Sequence, residues 1–311
     1  MLIDRIEDRL EKRGLLTDRN GPEGATIGLV GLGLIGGSFA KAYKAKAPKF
    51  KVYATNRTRS TLQRAIDEGV VDGELNEETI GECDLIIINL FPEAAIKYIE
   101  EHKQFFKPNT IVTDACGNKR GICKEGFRLA EDGSFCFIGA HPMAGTQYSG
   151  YAHSKADMFE GSSLVLVPTL EHEFDITPEH EMIISRLKTL LNPIGFGEYR
   201  VTDAVTHDKI IAYTSQLGHV IASSYMSNPA ALECYGFTGG SWRDMTRIAY
   251  CNTPMWTELF IENRDNLTKE IDLLIRDMTK FRDAIDSCDR DRLAQLLNEG
   301  RIRKEKTESH E

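Results

Sequence analysis

Three glycines near the beginning of the chain have the spacing of a loop that holds phosphate groups. Gly31, Gly33 and Gly36 follow an apolar run with strand character and open a helical pattern. In such a loop Gly31 permits the tight turn out of the strand, Gly33 lets the backbone approach a pyrophosphate, and Gly36 lets the helix pack closely on the sheet. The amide groups of the first helical residues, Leu34 and Ile35 among them, would face the phosphates. Ordinary turns also use glycine, but the strand before and the helix after favour a dinucleotide-binding loop.

The residues after the second predicted strand bear on which nicotinamide cofactor is bound. An acid at that position accepts hydrogen bonds from the ribose hydroxyls of NAD and repels a 2′-phosphate. Here the strand is followed by Asn56, Arg57, Thr58 and Arg59, and the next acid is Asp67. Arg57 can pair with a phosphate, while Asn56 and Thr58 can donate hydrogen bonds. We therefore predict that NADP is preferred over NAD; the alternative is that both arginines only cap a solvated turn.

A histidine follows a later candidate strand. His141 lies in the segment Gly139–Thr146, after the apolar run Phe135–Ile138. Ligands of open α/β sheets bind along the carboxyl ends of the strands. A histidine there could act as general base near a nicotinamide ring, because its pKa lies close to neutral pH. The alternative is a loop histidine bonded to backbone, and position alone does not separate the two.

The C-terminal part of the chain carries histidines and arginines inside helical patterns. His207 and His219 are twelve residues apart, roughly three turns, so one helix face could hold both. Arg243 or Arg247 could clamp a substrate carboxylate through two parallel hydrogen bonds, and Trp256 follows them. Taken singly, such histidines are more often packed or surface residues, and such arginines often form surface pairs. No spacing typical of a metal site, a Walker loop or a nucleophile elbow occurs.

The pattern of apolar runs predicts the elements that position these residues. Between Ala25 and about Arg200, short apolar runs alternate with helical patterns, which is typical of a doubly wound, mainly parallel α/β sheet of Rossmann type. The predicted strands are Thr26–Val30, Lys51–Thr55, Leu85–Asn89, Thr110–Thr113, Phe135–Ile138 and Leu164–Val167. The predicted helices are Ile35–Ala45, Ser60–Glu68, Glu93–Phe105 and Pro178–Leu191.

After Val201 the pattern is helical throughout, with long stretches at Asp203–Met226 and Arg264–Ile302. We therefore predict three parts: an N-terminal helix and linker over 1–24, a dinucleotide-binding domain over 25–200, and an all-helical domain over 201–311. The helix in the first part is expected over residues 2–10, and the charged end, Arg301–Glu311, is expected to fray.

Composition narrows the class of protein. The chain has 311 residues and a net charge of -9, from 38 Lys and Arg against 47 Asp and Glu, which argues against a nucleic-acid partner. Seven scattered cysteines fit reduced thiols, and no apolar run is long enough to span a membrane, so we expect a cytoplasmic protein. The glycine loop and the candidate histidines and arginines described above predict a small-molecule substrate. Apolar residues at helical spacing, Ile271, Leu274, Ile275 and Met278, predict a homodimer through the helical domain.

Taken in order, several blocks of the chain resemble the prephenate dehydrogenase family, which includes arogenate dehydrogenases. The matching blocks are Gly31–Ser38, Thr113-Asp114 with Lys119, His141–Gly150, His207-Asp208 with Ser215–His219, and Arg243-Asp244 with Thr246–Ala249. The resemblance implies that the helical part is a dimerisation domain and that the active site lies in the cleft between domains. It further implies a catalytic role for His141, a substrate-side position for His219 and a substrate-binding role for Arg247.

With this resemblance the expected site can be stated in full. The catalytic residues are His141, His219 and Lys119; the substrate-binding residues are Arg247, Arg243, Gln147, Gln216 and Trp256; the cofactor-binding residues are Gly31, Gly33, Leu34, Ile35, Gly36, Asn56, Arg57, Thr58 and Asp114; no metal is expected. The chain departs from the family at three positions. Gly117 stands where many family members have a serine, Gln147 where many have an acid, and Gln216 where many have a histidine.

The function implied is prephenate dehydrogenase of tyrosine biosynthesis, which converts prephenate to 4-hydroxyphenylpyruvate with release of carbon dioxide. One alternative is arogenate as substrate; because Gln147 offers no acid to the arogenate ammonium, prephenate is favoured. A second alternative, from another class, is a nucleotide-binding regulator without catalysis, supported only by the missing serine.

Overall fold

A computed structural model describes residues 24–132, 134–171 and 176–308 of the chain. The helix predicted over residues 2–10 lies outside these ranges. Within them, no helix combines the length and the apolar composition needed to cross a membrane.

An eight-stranded sheet forms the N-terminal part. Its strands are β1 (Thr26–Val30), β2 (Lys51–Thr55), β3 (Gly73–Glu74), β4 (Leu85–Ile88), β5 (Ile111–Asp114), β6 (Cys136–Pro142), β7 (Ser163–Thr169) and β8 (Glu198–Asp203). They lie side by side in the order β3-β2-β1-β4-β5-β6-β7-β8. Every neighbouring pair is parallel except β6 and β7. The chain order reverses between β1 and β4, which is where ligands of such sheets bind.

Eleven α-helices accompany the sheet in the described ranges. They are α1 (Leu34–Lys46), α2 (Arg59–Asp67), α3 (Pro92–His102), α4 (Arg120–Ala130), α5 (Pro178–Leu191), α6 (Ala204–Ile211), α7 (Leu217–Met226), α8 (Gly240–Thr246), α9 (Thr253–Glu262), α10 (Arg264–Asp286) and α11 (Arg290–Glu308). A π-helical turn, Ala212–Gln216, joins α6 to α7 without a break.

Both faces of the sheet are buried, because successive side chains of each strand point to opposite sides. In β4, Leu85 and Ile87 belong to one apolar core and Ile86 and Ile88 to the other. This confirms the doubly wound, mainly parallel sheet predicted from the apolar runs, which is followed by a helical region.

The six predicted strands and the four predicted helices all occur, but three elements are additional. The polar strands β3 and β8 were not predicted, and β8 runs past residue 200 to Asp203. Helix α4 was also missed, because its two glycines lower its helix propensity. One of them, Gly126, is required by packing: a Cβ there would lie 2.4 Å from the ring of Phe137.

Two features of the helical region differ from expectation. The pattern Arg264–Ile302 is divided into α10 and α11, and between them Cys288 adopts a left-handed backbone conformation with φ of 54°. The charged end that we expected to fray is helical through Glu308.

Candidate active site

A cleft of about 860 Å³ opens between the sheet and the helical region. Its walls are formed by residues 33–36 of the glycine turn, the segment 141–150, and parts of the helical segments 211–219 and 247–259. This volume is in the range typical of sites for cofactors and small substrates.

The glycine turn has the geometry that its spacing predicts. Gly31 has φ of +89°, and a Cβ there would lie 2.7 Å from the carbonyl of Asn89, so only glycine is accommodated. A Cβ on Gly36 would lie 1.9 Å from the Gly31 carbonyl oxygen, which shows how closely α1 packs. Gly33, by contrast, faces the cleft, and a Cβ added to it would have no other atom within 4 Å. The open space over Gly33 and the amide groups at the start of α1 suit a pyrophosphate.

Asn89 is a cleft residue that the sequence analysis did not assign. Its Nδ2 donates to the carbonyl of Ile87 at 3.0 Å. Its Oδ1 is buried and has no hydrogen-bond partner among the described residues. A buried acceptor without a donor is costly, so this oxygen supports the presence of a ligand with a hydroxyl or amide donor. The signal in the sequence was the single polar residue in the apolar run Leu85–Phe91.

The residues after β2 lie outside the cleft wall. Asn56 accepts a hydrogen bond from the Leu32 amide at 2.9 Å, which ties this segment to the glycine turn. Arg57 and Thr58 are exposed. Arg59 forms a two-fold pair with Glu74 of β3. The segment after β2 carries no acid of its own, but the unpredicted strand β3 brings Glu74 against Arg59.

His141 lies inside β6, not in a loop after it, and its backbone pairs with Val165 of β7. Its Nδ1 is 3.0 Å from Nε2 of His207 in α6. Burial, with the nearby charges of His207 and Lys119, holds the pKa of His141 well below its usual range. The imidazole is therefore neutral at neutral pH and can accept a proton in the cleft.

Asp114 and Lys119 lie beneath the cleft and do not line it. The Lys119 ammonium is fully buried and paired with the Asp114 carboxylate. Asp114 also accepts from the amides of Cys116 and Ala140 at 2.9 and 3.2 Å. The structure thus contradicts a catalytic contact for Lys119 and a direct cofactor contact for Asp114; both hold the loop after β5 against β6.

The helical region contributes three of the predicted side chains to the cleft wall. The rings of His219 and Trp256 stack at 3.6 Å between centroids. Nδ1 of His219 lies 3.1 Å from the Ser215 carbonyl, and burial together with the charge of Arg247 lowers the pKa of His219. Arg247 is exposed and lines the cleft. Arg243 is exposed on α8 and is absent from the cleft wall, contrary to the expectation that it contacts substrate.

Gln147 and Gln216 both line the cleft, but only the Gln147 amide has no hydrogen-bond partner among the described residues. Gln216 donates to Asn118 Oδ1 at 2.8 Å and accepts from Asn263 at 2.9 Å, so both ends of its amide are bonded within the protein. These asparagines were missed because their contacts join distant parts of the chain. At Gly117 a side chain would be crowded, since a Cβ would lie 3.1 Å from two carbons of Leu259.

Comparison with known proteins places this cleft in a family. The family models "Prephenate dehydrogenase, nucleotide-binding domain" and "Prephenate dehydrogenase, dimerization domain" match residues 39–185 and 203–299. The prephenate dehydrogenase of Bacillus subtilis is 27% identical over 276 residues, which cover 86% of this chain and 72% of the relative. The cyclohexadienyl dehydrogenase of Zymomonas mobilis is 28% identical over 283 residues, which cover 88% of this chain and 92% of the relative.

A solved structure has the same fold. Prephenate dehydrogenase from Aquifex aeolicus, in complex with hydroxyphenyl propionate and NAD+, matches with a TM-score of 0.76 at 24% identity, over 91% of this chain and 98% of that one. Because the two family models together span well over half of the sequence, the chain belongs to the prephenate dehydrogenase family.

Proposed function

We propose that this protein oxidises prephenate to 4-hydroxyphenylpyruvate and carbon dioxide with an NAD(P) cofactor. The observation that carries the proposal is a neutral histidine, His141, in one cleft with an open glycine turn at Gly33 and a guanidinium at Arg247. These three groups suit a proton, a pyrophosphate and a carboxylate, respectively.

The glycine turn would hold the cofactor phosphates, and the unpartnered oxygen of Asn89 would accept a hydrogen bond from the bound cofactor. When bound, the oxidised nicotinamide accepts the hydride from the carbinol carbon of the substrate. Assignment of an NAD(P)-binding domain agrees with the nucleotide-binding family model, which matches residues 39–185.

His141 would accept the proton of the substrate hydroxyl as the carbinol C–H bond breaks. The bond to the ring carboxylate then breaks, its electron pair enters the ring, and carbon dioxide leaves. The phenolate oxygen formed by aromatisation takes the proton back, so His141 ends neutral. Arg247 would hold a carboxylate of the substrate, because a guanidinium matches a carboxylate through two parallel hydrogen bonds.

We infer prephenate over arogenate because Gln147, which lines the cleft, is neutral. Arogenate carries an ammonium where prephenate has a keto group, and an acid would be needed to attract it. Arogenate dehydrogenase remains the alternative of the same class.

We also infer that NADP is preferred over NAD. Support comes from Arg57, which is exposed beside Asn56 and the glycine turn. Because Arg59 is paired with Glu74, Arg57 is the arginine of the two that would contact the 2′-phosphate of NADP.

A single assay tests the function, the substrate and the cofactor. Absorbance of the reduced nicotinamide is followed for prephenate and arogenate, each with NAD and NADP. The fastest reduction is expected for prephenate with NADP. No reduction in any pairing would overturn the proposal in favour of a non-catalytic nucleotide-binding regulator, whereas faster reduction with arogenate would move the substrate assignment to the alternative.

We propose a homodimer through the helical region. The matched family model is described as a dimerization domain, and Ile275 and Met278 of α10 are 56% and 61% exposed. Such apolar exposure is typical of a protein interface. A monomeric mass in solution at micromolar concentration would contradict this. A cytoplasmic location stays a prediction.

A further inference from the structure

A row of hydrogen bonds leads from a buried carboxylate to the cleft. Asp208 is buried and accepts from the amides of Lys119 and Arg120 at 2.7 and 3.0 Å. Burial alone would raise its pKa, but these bonds and one to His207 outweigh it and lower the pKa of Asp208. Asp208 is therefore ionised and can only accept hydrogen bonds.

The ionised carboxylate fixes the direction of every bond that follows. Nδ1 of His207 lies 2.8 Å from Oδ1 of Asp208, so this nitrogen carries the proton and donates. Burial also lowers the pKa of His207, and in the neutral ring the other nitrogen, Nε2, must then be an acceptor. Since Nε2 of His207 is 3.0 Å from Nδ1 of His141, the His141 nitrogen must donate to it.

We propose that His207 is a positioning residue that holds the His141 proton on Nδ1 and thereby leaves Nε2 of His141 bare toward the cleft. That nitrogen has no hydrogen-bond partner among the described residues. His207 itself does not line the cleft, so it acts only through His141. The catalytic meaning of the proposal rests on the proposed function, but the tautomer does not.

The charges around the pair agree with this assignment. Besides burial, the charge of Lys119 helps to lower the pKa of both histidines, but its ammonium is paired with Asp114. Arg120 is paired with Asp208 and Asp265. His219 and Arg247 line the same cleft from the helical region. The hydrogen-bond chain from His141 through His207 thus ends on the single carboxylate of Asp208. An imidazolium formed on His141 would still have Nε2 of His207 as the acceptor for its Nδ1 proton. In the other tautomer, Nε2 of His141 would present a proton to the substrate hydroxyl and could not accept one.

The first experiment reads the tautomer directly in the ligand-free protein. Ring nitrogen chemical shifts of ¹⁵N-labelled protein are recorded at neutral pH, and His141 is assigned by comparison with His141→Asn. We expect a protonated Nδ1 and a bare Nε2 on His141. A protonated Nε2 would overturn the proposal, whether or not the protein turns over prephenate.

The second experiment compares two substitutions of His207. In His207→Gln the amide can donate to Asp208 and accept from His141, so turnover should stay within about fivefold of the parent. In His207→Leu the acceptor is lost, and turnover should fall by on the order of 10²-fold, the scale of general-base catalysis. The Michaelis constant should change little in both. His102→Leu, which alters a histidine that bonds to the Tyr98 carbonyl outside the cleft, is the matched control and should be unchanged.

Equal losses in the Gln and Leu variants, or loss only through the Michaelis constant, would show that His207 merely fills space and would overturn the proposal. If His207→Leu does not fold, as judged by circular dichroism, the nitrogen shifts and the Gln variant still decide. If the parent enzyme reduces the cofactor with neither substrate, the proposed function fails, while the nitrogen shifts continue to test the tautomer.

Discussion

Asn263 is fully buried, and its side chain makes four hydrogen bonds, to α6, to the π-helical turn, to α10 and to the first residue of α4. Its Nδ2 donates to the Asp208 carbonyl at 2.8 Å and to Gln216 Oε1 at 2.9 Å. Its Oδ1 accepts from Arg120 and Asn266, each at 2.9 Å. Since Arg120 begins α4, the helix that follows β5, Asn263 links the helical region to the sheet region.

Asn263→Ala should destabilise the protein, and the structure sets the scale. Gln216 is buried and would be left with an unsatisfied oxygen, which costs about 1–3 kcal/mol. Arg120 keeps its carboxylate partners, and Asn266 is partly exposed and can turn to water, so these losses are small. We expect a total loss of about 2–4 kcal/mol, a large fraction of the roughly 5–15 kcal/mol typical of folded proteins.

Urea unfolding followed by tryptophan fluorescence tests this value, because Trp256 lies on α9, which ends next to Asn263. The matched control is Asn298→Ala on exposed α11, where the amide oxygen contacts only Arg301; a change within about 0.5 kcal/mol is expected there. A loss at Asn263 below about 1 kcal/mol, or one equal to the control, would refute the reasoning.

Three further predictions concern the cleft. His141→Asn should lower turnover by about 10²–10⁴-fold. Because burial lowers the pKa of His141, kcat/KM of the parent should stay level as pH falls below about 6.5 and should drop only at more acidic pH. A drop centred above about 6.5 in a pH–rate profile would contradict the assignment. Arg247→Ala should raise the Michaelis constant for prephenate more than it lowers turnover, whereas Arg243→Ala should change neither the Michaelis constant nor turnover. The reverse result in steady-state kinetics would assign the substrate carboxylate to Arg243. Arg57→Ala should weaken binding of NADP more than binding of NAD, by about 1.5–3 kcal/mol. Arg59→Ala should change NADP binding less, because the Arg59 guanidinium is held by Glu74. Equal losses for the two cofactors in binding titrations would refute a 2′-phosphate contact.

Sequence reasoning predicted the glycine turn well because its geometry depends on adjacent residues. The turn needs a left-handed residue at Gly31, open backbone at Gly33 and close packing at Gly36, and each requirement follows from local backbone chemistry. The apolar runs of the inner strands were readable for the same reason, since parallel strands buried on both faces are continuously apolar.

Burial of polar side chains could not be predicted in this way. Lys119 reads as a free ammonium near the expected site, yet it is fully buried on Asp114. Glu74 neutralises Arg59 only because the two-residue strand β3 pairs with β2, and two residues carry no periodic signal. These outcomes depend on which distant segments meet, which sequence spacing does not specify.

The relation between His207 and His219 shows how local and distant effects combine. In a regular α-helix each residue turns by about 100°, so a separation of twelve residues leaves the two side chains about 120° apart. The π-helical turn Ala212–Gln216 lies between them and accommodates one extra residue in a wider turn. His219 then takes roughly the position of an eleventh residue, about 20° from His207. The expectation that one helix face holds both histidines therefore depends on this wide turn. His207 contacts His141, and His219 lines the same cleft as His141.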